Sequence, residues 1–247
     1  MSRPGDLTHP AYWGRGRRHL DPGAPMPTDE AEWFPPVAGV LGEHAGGRFL
    51  ELGCAPGLVS ALVCTRVAFS PHGVDFSGDA DLYLETLKAA GLCDAVLHRG
   101  DLRNFRPDRP FDVVASFGLI EHFEDPAEIL DHHDRMLRNG GLCLVVVPNF
   151  RKVQFLYHRI FDRRDMAMHN TAAMTPRLFA DFARRRGHRV RYLGYAGRLR
   201  FWNAPTKGWL PRAVKKGVRE AALELGRWLP ADHPWLTPWL VYAGEKR

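Results

Sequence analysis

The chain has 247 residues, 45% hydrophobic and 25% charged, which is globular composition and excludes a collagen-like, low-complexity or wholly disordered chain. Its net charge of +6 is unevenly placed: residues 1–46 carry −2, residues 47–150 carry −6 and residues 151–247 carry +14. An acidic middle and a basic end point to two different ligands, a cation-bearing one and an anionic one.

The four cysteines (Cys54, Cys64, Cys93, Cys143) form no CxxC pair, which argues against a zinc site or a disulfide framework. The start, MSRPGDLTHP, lacks the apolar core of a secretory signal, and no apolar run approaches the ~20 residues of a membrane span. A cytoplasmic location is the expectation.

Residues 1–30, rich in Gly, Pro and Arg, read as an irregular arm that docks through Tyr12 and Trp13. A helix within 31–45 follows, limited by Pro35 and Pro36. Then strands and helices alternate. Strands are predicted at Arg48–Leu52, at His72–Val74 running into Asp75, and at Ala95–Leu97, Phe111–Ser116 and Leu142–Val147. The helices between them are Leu58–Val67, Ala80–Ala90, stopped by Gly91, and Pro126–Leu137, stopped by Asn139-Gly140-Gly141. On the last of these, His132 and His133 are expected to face solvent. Strands separated by helices of this length imply a parallel sheet covered on both faces. Beyond Pro148, helices are predicted at Val153–Phe161, Pro176–Arg186 and Arg212–Leu229, and strands at His188–Tyr195 and Trp239–Ala243.

Phe49-Leu50-Glu51-Leu52-Gly53-Cys54-Ala55-Pro56-Gly57 is the most informative run. A strand ends in a tight glycine turn and a helix opens at once, which in an open parallel sheet lies at the ligand-binding edge. The dinucleotide pattern G-x-G-x-x-G fits poorly, because Ala55 and Leu58 stand at its second and third glycine places. No Lys-Ser/Thr follows, so a P-loop is excluded. Acids recur at successive strand ends: Glu51, Asp75 and Asp101. An acid at the position of Asp75 can accept hydrogen bonds from both hydroxyls of a ribose. Asp101 could meet an adenine amino group. A nucleoside with a positively charged tail suits such a rim.

ELGCAPG, GVDFS, RGDL, FDVVASFGLIEHFEDP and LRNGGLCLVVVPN, in that order, resemble the motifs of class I S-adenosylmethionine-dependent methyltransferases, and more particularly quinone and natural-product O-methyltransferases. The match covers about residues 47–150, with Ala55 replacing a usual glycine. The resemblance implies an α/β fold: a Rossmann-like, doubly wound, mostly parallel seven-stranded sheet with an N-terminal arm and helical cap insertions. It divides the chain into an arm and cap helix (1–46), a cofactor-binding core (47–150), and an acceptor-binding cap that also completes the sheet (151–247). It also implies S-adenosyl-L-methionine as cofactor. Gly53 and Gly57 would lie along the methionine moiety, with Cys54 and Ala55 between them also cofactor-binding, and Glu51 would place its ammonium. Asp75 would hold the ribose, Phe76, Asp101 and Leu102 would frame the adenine, and Phe117 would touch the cofactor from the fourth strand.

A hydroxyl acceptor gains from a general base, and histidine has the right range. His122, in Glu121-His122-Phe123, follows the fourth strand; it reads equally as a base or as a structural residue of its loop. His169 is the second candidate, with capping as its alternative, and Tyr157 and His158 are weaker ones. Metal-assisted quinone O-methyltransferases show Glu-x-x-Glu-His at this place. Here Gly118 occupies the first carboxylate position, and no metal is expected.

The fourth strand lacks an Asp/Asn-Pro-Pro-Tyr run and no Pro-Cys nucleophile is in place, which favours a small-molecule acceptor over nucleic acid. Trp202, Trp209, Trp228, Trp235 and Trp239 stand among many cations, a mix suited to an anionic or amphipathic acceptor. The Arg212–Leu229 helix is expected to pack Leu225 and Trp228 on the core. Peripheral membrane contact through 212–229, with Lys215, Lys216 and Arg219 on anionic lipid, is the lesser reading. The leading function is O-methylation of a small molecule by a monomer or homodimer. N-methylation is one alternative, and an RNA-modifying or RNA-binding protein using the basic end is another.

Overall fold

A computed structural model describes residues 5–8, 31–161, 163–201 and 212–247. The expectations for Tyr12, Trp13, Trp202 and Trp209 lie outside the described residues.

Seven strands form one sheet in the order β3-β2-β1-β4-β5-β7-β6: β1 (Arg48–Leu52), β2 (Ser70–Asp75), β3 (Val96–Arg99), β4 (Phe111–Phe117), β5 (Leu137–Pro148), β6 (Arg189–Ala196) and β7 (Trp239–Glu245). The pairs from β3 through β5 are parallel; β7 is antiparallel to both β5 and β6. The helices are α1 (Ala38–Gly42), α2 (Leu58–Val67), α3 (Leu82–Ala89), α4 (Pro126–Met136), α5 (Lys152–Phe161), α6 (Arg163–Met166), α7 (Pro176–Arg186) and α8 (Arg212–Trp228).

The two-residue period of the strands sorts the core into two layers. Leu50, Leu52, Val114, Cys143, Val145, Val147, Leu240 and Tyr242 pack with Ile129 and Leu130 of α4 and Phe179 and Phe182 of α7. Phe49, Val113, Ala115, Leu142, Leu144, Val146 and Val241 pack with Trp33, Val37, Leu41 and Val63. Both layers are buried, which is why the central strands read as continuous apolar runs. Helix starts follow their caps: Asp125 accepts from the amides of Ala127 and Glu128 before Pro126 opens α4, and Thr175 does the same for Leu178 before Pro176 opens α7.

Three expectations are corrected. Asn139-Gly140-Gly141 does not separate helix from strand. β5 already begins at Leu137, because Gly140 N donates to Lys246 O and Lys246 N to Gly141 O, pairing that segment with the end of β7. His132 and His133 are buried. His133 Nδ1 donates to Ile129 O at 2.8 Å, leaving Nε2 to accept from the Ser116 hydroxyl at 2.8 Å, so its polarity is spent on a bridge between α4 and β4.

The third correction concerns α8. Its buried positions are Lys215, Ala222 and Gly226, while Leu225 is 53% and Trp228 87% exposed. The small residues explain the seat. A Cβ on Gly226 would lie 2.6 Å from Leu199 O, so only glycine allows that approach. The helix rests on its narrow edge and turns its larger side chains outward.

All four cysteines are free thiols; Cys54, Cys64 and Cys143 are buried and Cys93, between α3 and β3, is exposed. Among the described residues, no helix is long and apolar enough to cross a membrane.

Candidate active site

The carboxyl ends of β1, β2, β3 and β4 share one rim. After β1 the chain turns through Gly53 to Gly57, which caps α2 with φ +97°. A side chain on Gly57 would also crowd Tyr83 O, at 3.1 Å from its Cβ. Gly53 N donates to Val74 O at 2.8 Å, tying the turn to β2.

The strand-end acids are fixed by the backbone around them. Asp75 accepts from Ala55 N at 3.0 Å through Oδ2 and from Ser77 N at 2.7 Å through Oδ1. It therefore braces the glycine turn and the start of the next loop. Buried Glu51 accepts from Ser60 N at 3.0 Å and from the Ser60 hydroxyl. Asp101 accepts from Arg103 N at 3.0 Å and takes the Arg103 guanidinium on both oxygens, at 2.7 Å for Nη2. Its carboxylate is thus part of an ion pair.

All ten residues predicted to hold a cofactor line one cavity: Glu51, Gly53, Cys54, Ala55, Gly57, Asp75, Phe76, Asp101, Leu102 and Phe117. Phe117 packs on Trp33 with ring centroids 4.5 Å apart, which fixes that wall. Four carboxylates (Asp6, Glu51, Asp75 and Asp101), three phenyl rings (Phe76, Phe117 and Phe123) and close-approaching backbone give a cavity that fits a cationic nucleoside conjugate.

His122 stands on the wall of the same cavity. Its Nδ1 is 3.0 Å from Met168 O, which can only accept, so Nδ1 carries the proton, and its Nε2 lies 4.0 Å from Glu121 Oε1. His169 does not line this cavity, but its ring lies 4.4 Å from that of His122. Asn170 N donates to Glu121 O at 2.6 Å, holding the 168–170 segment against the Glu121-His122 turn. Glu121, His122 and His169 each bring one ligand atom within 4.8 Å of the others. The expectation of no metal counted donors only along the fourth-strand motif; here a third donor arrives from beyond β5. His158 is buried against Phe150, and burial pushes its pKa down to about 4, which keeps it neutral. Tyr157 stacks on Phe201 and Phe161 instead of facing the cavity.

Asp6, Thr8 and Arg103 also line the cavity, and sequence reading missed them. Arg103 carried a signal in Gly100-Asp101-Leu102-Arg103, beside a predicted site acid. Asp6 carried none, because its partners lie about a hundred residues away.

This strand order, with a glycine turn after β1 and acids at the ends of β1 and β2, defines the class I, Rossmann-like methyltransferase architecture. A family model described as "Methyltransferase domain" matches residues 29–212, and the chain belongs to that family. It is 30% identical over 123 residues to the ubiquinone biosynthesis O-methyltransferase of Psychrobacter arcticus. That match covers 46% of this chain and 45% of the relative, so the chain spans about half the length of the curated relative it matches. Two solved structures share the fold. A methyltransferase from Thiobacillus denitrificans, in complex with S-adenosyl-L-homocysteine, superposes with TM-score 0.56 at 17% identity, covering 91% of this chain and 100% of that one. Geranyl diphosphate C-methyltransferase from Streptomyces coelicolor superposes with TM-score 0.61 at 13% identity, covering 96% of each chain.

Proposed function

We propose that this chain transfers a methyl group from S-adenosyl-L-methionine to a hydroxyl of a small anionic or amphipathic metabolite. The observation that supports it most is the single cavity in which the strand-end carboxylates meet His122. The cofactor, when bound, supplies a methyl group already made electrophilic by its sulfonium. Residues 47–150 then hold it: Asp75 takes the ribose hydroxyls, and Phe76, Leu102 and Phe117 enclose the base and sulfur. Glu51 favours the ammonium electrostatically. His122 Nε2 accepts the acceptor's hydroxyl proton. The imidazolium so formed faces the Glu121 carboxylate at 4.0 Å. Met168 O holds the ring in that orientation. Residues 151–247, with their excess of Lys and Arg, supply the acceptor's side of the pocket.

Methyl transfer to hydroxylated acceptors, followed by mass gain, tests this. His122→Ala should lower turnover by ~10²–10⁴-fold while S-adenosylhomocysteine still binds. His169→Ala should lower it by only about tenfold on the same base-catalysis scale, through the packing of the His122 ring. Full turnover in both variants at saturating acceptor sinks base catalysis by histidine and favours an amine acceptor, which needs no such base.

The gathering of Glu121, His122 and His169 supports a second reading, in which they hold a divalent ion that polarises the acceptor oxygen. Activity lost to a chelator and restored by metal selects this reading; activity indifferent to both removes it.

A further inference from the structure

The segment Gly5–Thr8 is strapped over the cavity by contacts to two separate elements. Asp6 forms an antiparallel bridge with Phe123. Leu7 N donates to His122 O at 2.9 Å and Glu124 N donates to Gly5 O at 2.9 Å. The Asp6 carboxylate lies 3.0 Å from Arg103 Nη1, and its side chain is 7% exposed. The same guanidinium meets Asp101 at 2.7 Å and sits 5.7 Å from the centre of the Phe123 ring. Arg103 is thus a clasp between a carboxylate just after β3 and a carboxylate on the strap. The strap in turn is bonded to the peptide of His122. Buried charge-assisted pairs of this kind are strong and geometrically specific.

We propose that Asp6 is a positioning residue: through Arg103 it fastens the strap across the cofactor cavity, slows exchange of the cofactor, and steadies the turn that carries His122. The strap part of the proposal is independent of what the cavity holds, whereas its role in exchange rests on the cofactor reading above. Fastening requires the strap to open for each exchange, as lids over other active sites do. It also places the two candidate reaction components under one control, because the strap touches the His122 peptide and the Asp101–Arg103 pair together.

The test uses the full chain and Asp6→Asn, which keeps the shape and removes the charge. Amide exchange is read first, without cofactor. The amides of Leu7 and Glu124 should be protected in the parent and exchange about tenfold faster in Asp6→Asn, while those of β4 and β5 are unchanged. Equal exchange overturns the clasp. Dissociation of S-adenosylhomocysteine is then followed by stopped flow. The expected result is dissociation about tenfold faster in Asp6→Asn, with salt accelerating release from the parent more than from the variant. Altered exchange with equal dissociation rates overturns the positioning role but leaves the strap. No binding by the parent overturns the cofactor reading and the exchange role with it, whatever the amides show. His122 gives a further readout: Asp6→Asn should lower kcat without moving the pH at which activity rises, since the base itself is untouched. An unchanged kcat overturns the link from strap to His122.

Discussion

Asp75→Ala is expected to weaken S-adenosylhomocysteine binding by ~10²-fold or more, since it removes the two ribose hydrogen bonds proposed for this carboxylate, at ~1.5–3 kcal/mol each. The same substitution strands the amides of Ala55 and Ser77, which Asp75 now satisfies. Some loss of stability, on the order of 1–3 kcal/mol, should accompany it. Asp75→Asn separates the two effects. It retains one acceptor oxygen for the turn but loses the charge and half of the ribose contact. Calorimetric titration and thermal melting of both variants check this. Parent-like affinity in both variants would remove the ribose from the place assigned to it here.

The second large effect is acid instability. Burial holds His72, His133 and His158 down to about 4, and it lowers His44, His98 and His132 as well. His72 is further opposed by Arg48, and its Nδ1 lies 3.4 Å from His98 Nε2. A histidine with a depressed pKa binds its proton in the unfolded chain first. Stability from these groups is therefore complete above the unfolded value near 6.5 and is lost as pH falls from there toward 4. Each of the three strongest cases costs up to about 3 kcal/mol across that window. The whole fold is worth only ~5–15 kcal/mol. Urea midpoints measured from pH 7.5 down to pH 5 should fall steeply. His133→Gln should flatten the slope while lowering stability at pH 7.5. A midpoint that stays level over this range contradicts the neutral, buried state of these rings.

What could be read from the sequence follows local rules. The bounds of β1, α2 and α7 agree with those read from sequence, because each is punctuated locally: a glycine turn after Leu52 and left-handed caps at Ala68 and Gly187. The order of strand ends likewise puts Glu51, Asp75 and Asp101 on one rim, where the cavity gathers them. What escaped depends on partners distant in the chain. The bridge from His133 to Ser116 makes a polar helix position a core position. Leu199, outside the helix, decides that Gly226 and not Leu225 faces inward. Arg103 meets Asp6 only because the strap crosses the cavity. An amphipathic pattern shows that a helix has an apolar side, but the neighbour's shape decides which side is seated.

The cysteine distribution has a practical consequence. Two thiols, Cys64 and Cys143, are sealed in the interior, Cys54 is buried on the cavity wall, and Cys93 stands in the open between α3 and β3. That place is at the amino end of β3, opposite the rim that carries the acids. A thiol-reactive dye therefore has one fast attachment point on the native molecule and leaves the cavity unobstructed. Slow labelling at Cys64 and Cys143 would then time the opening of the interior itself, and labelling at Cys54 would report access through the cavity.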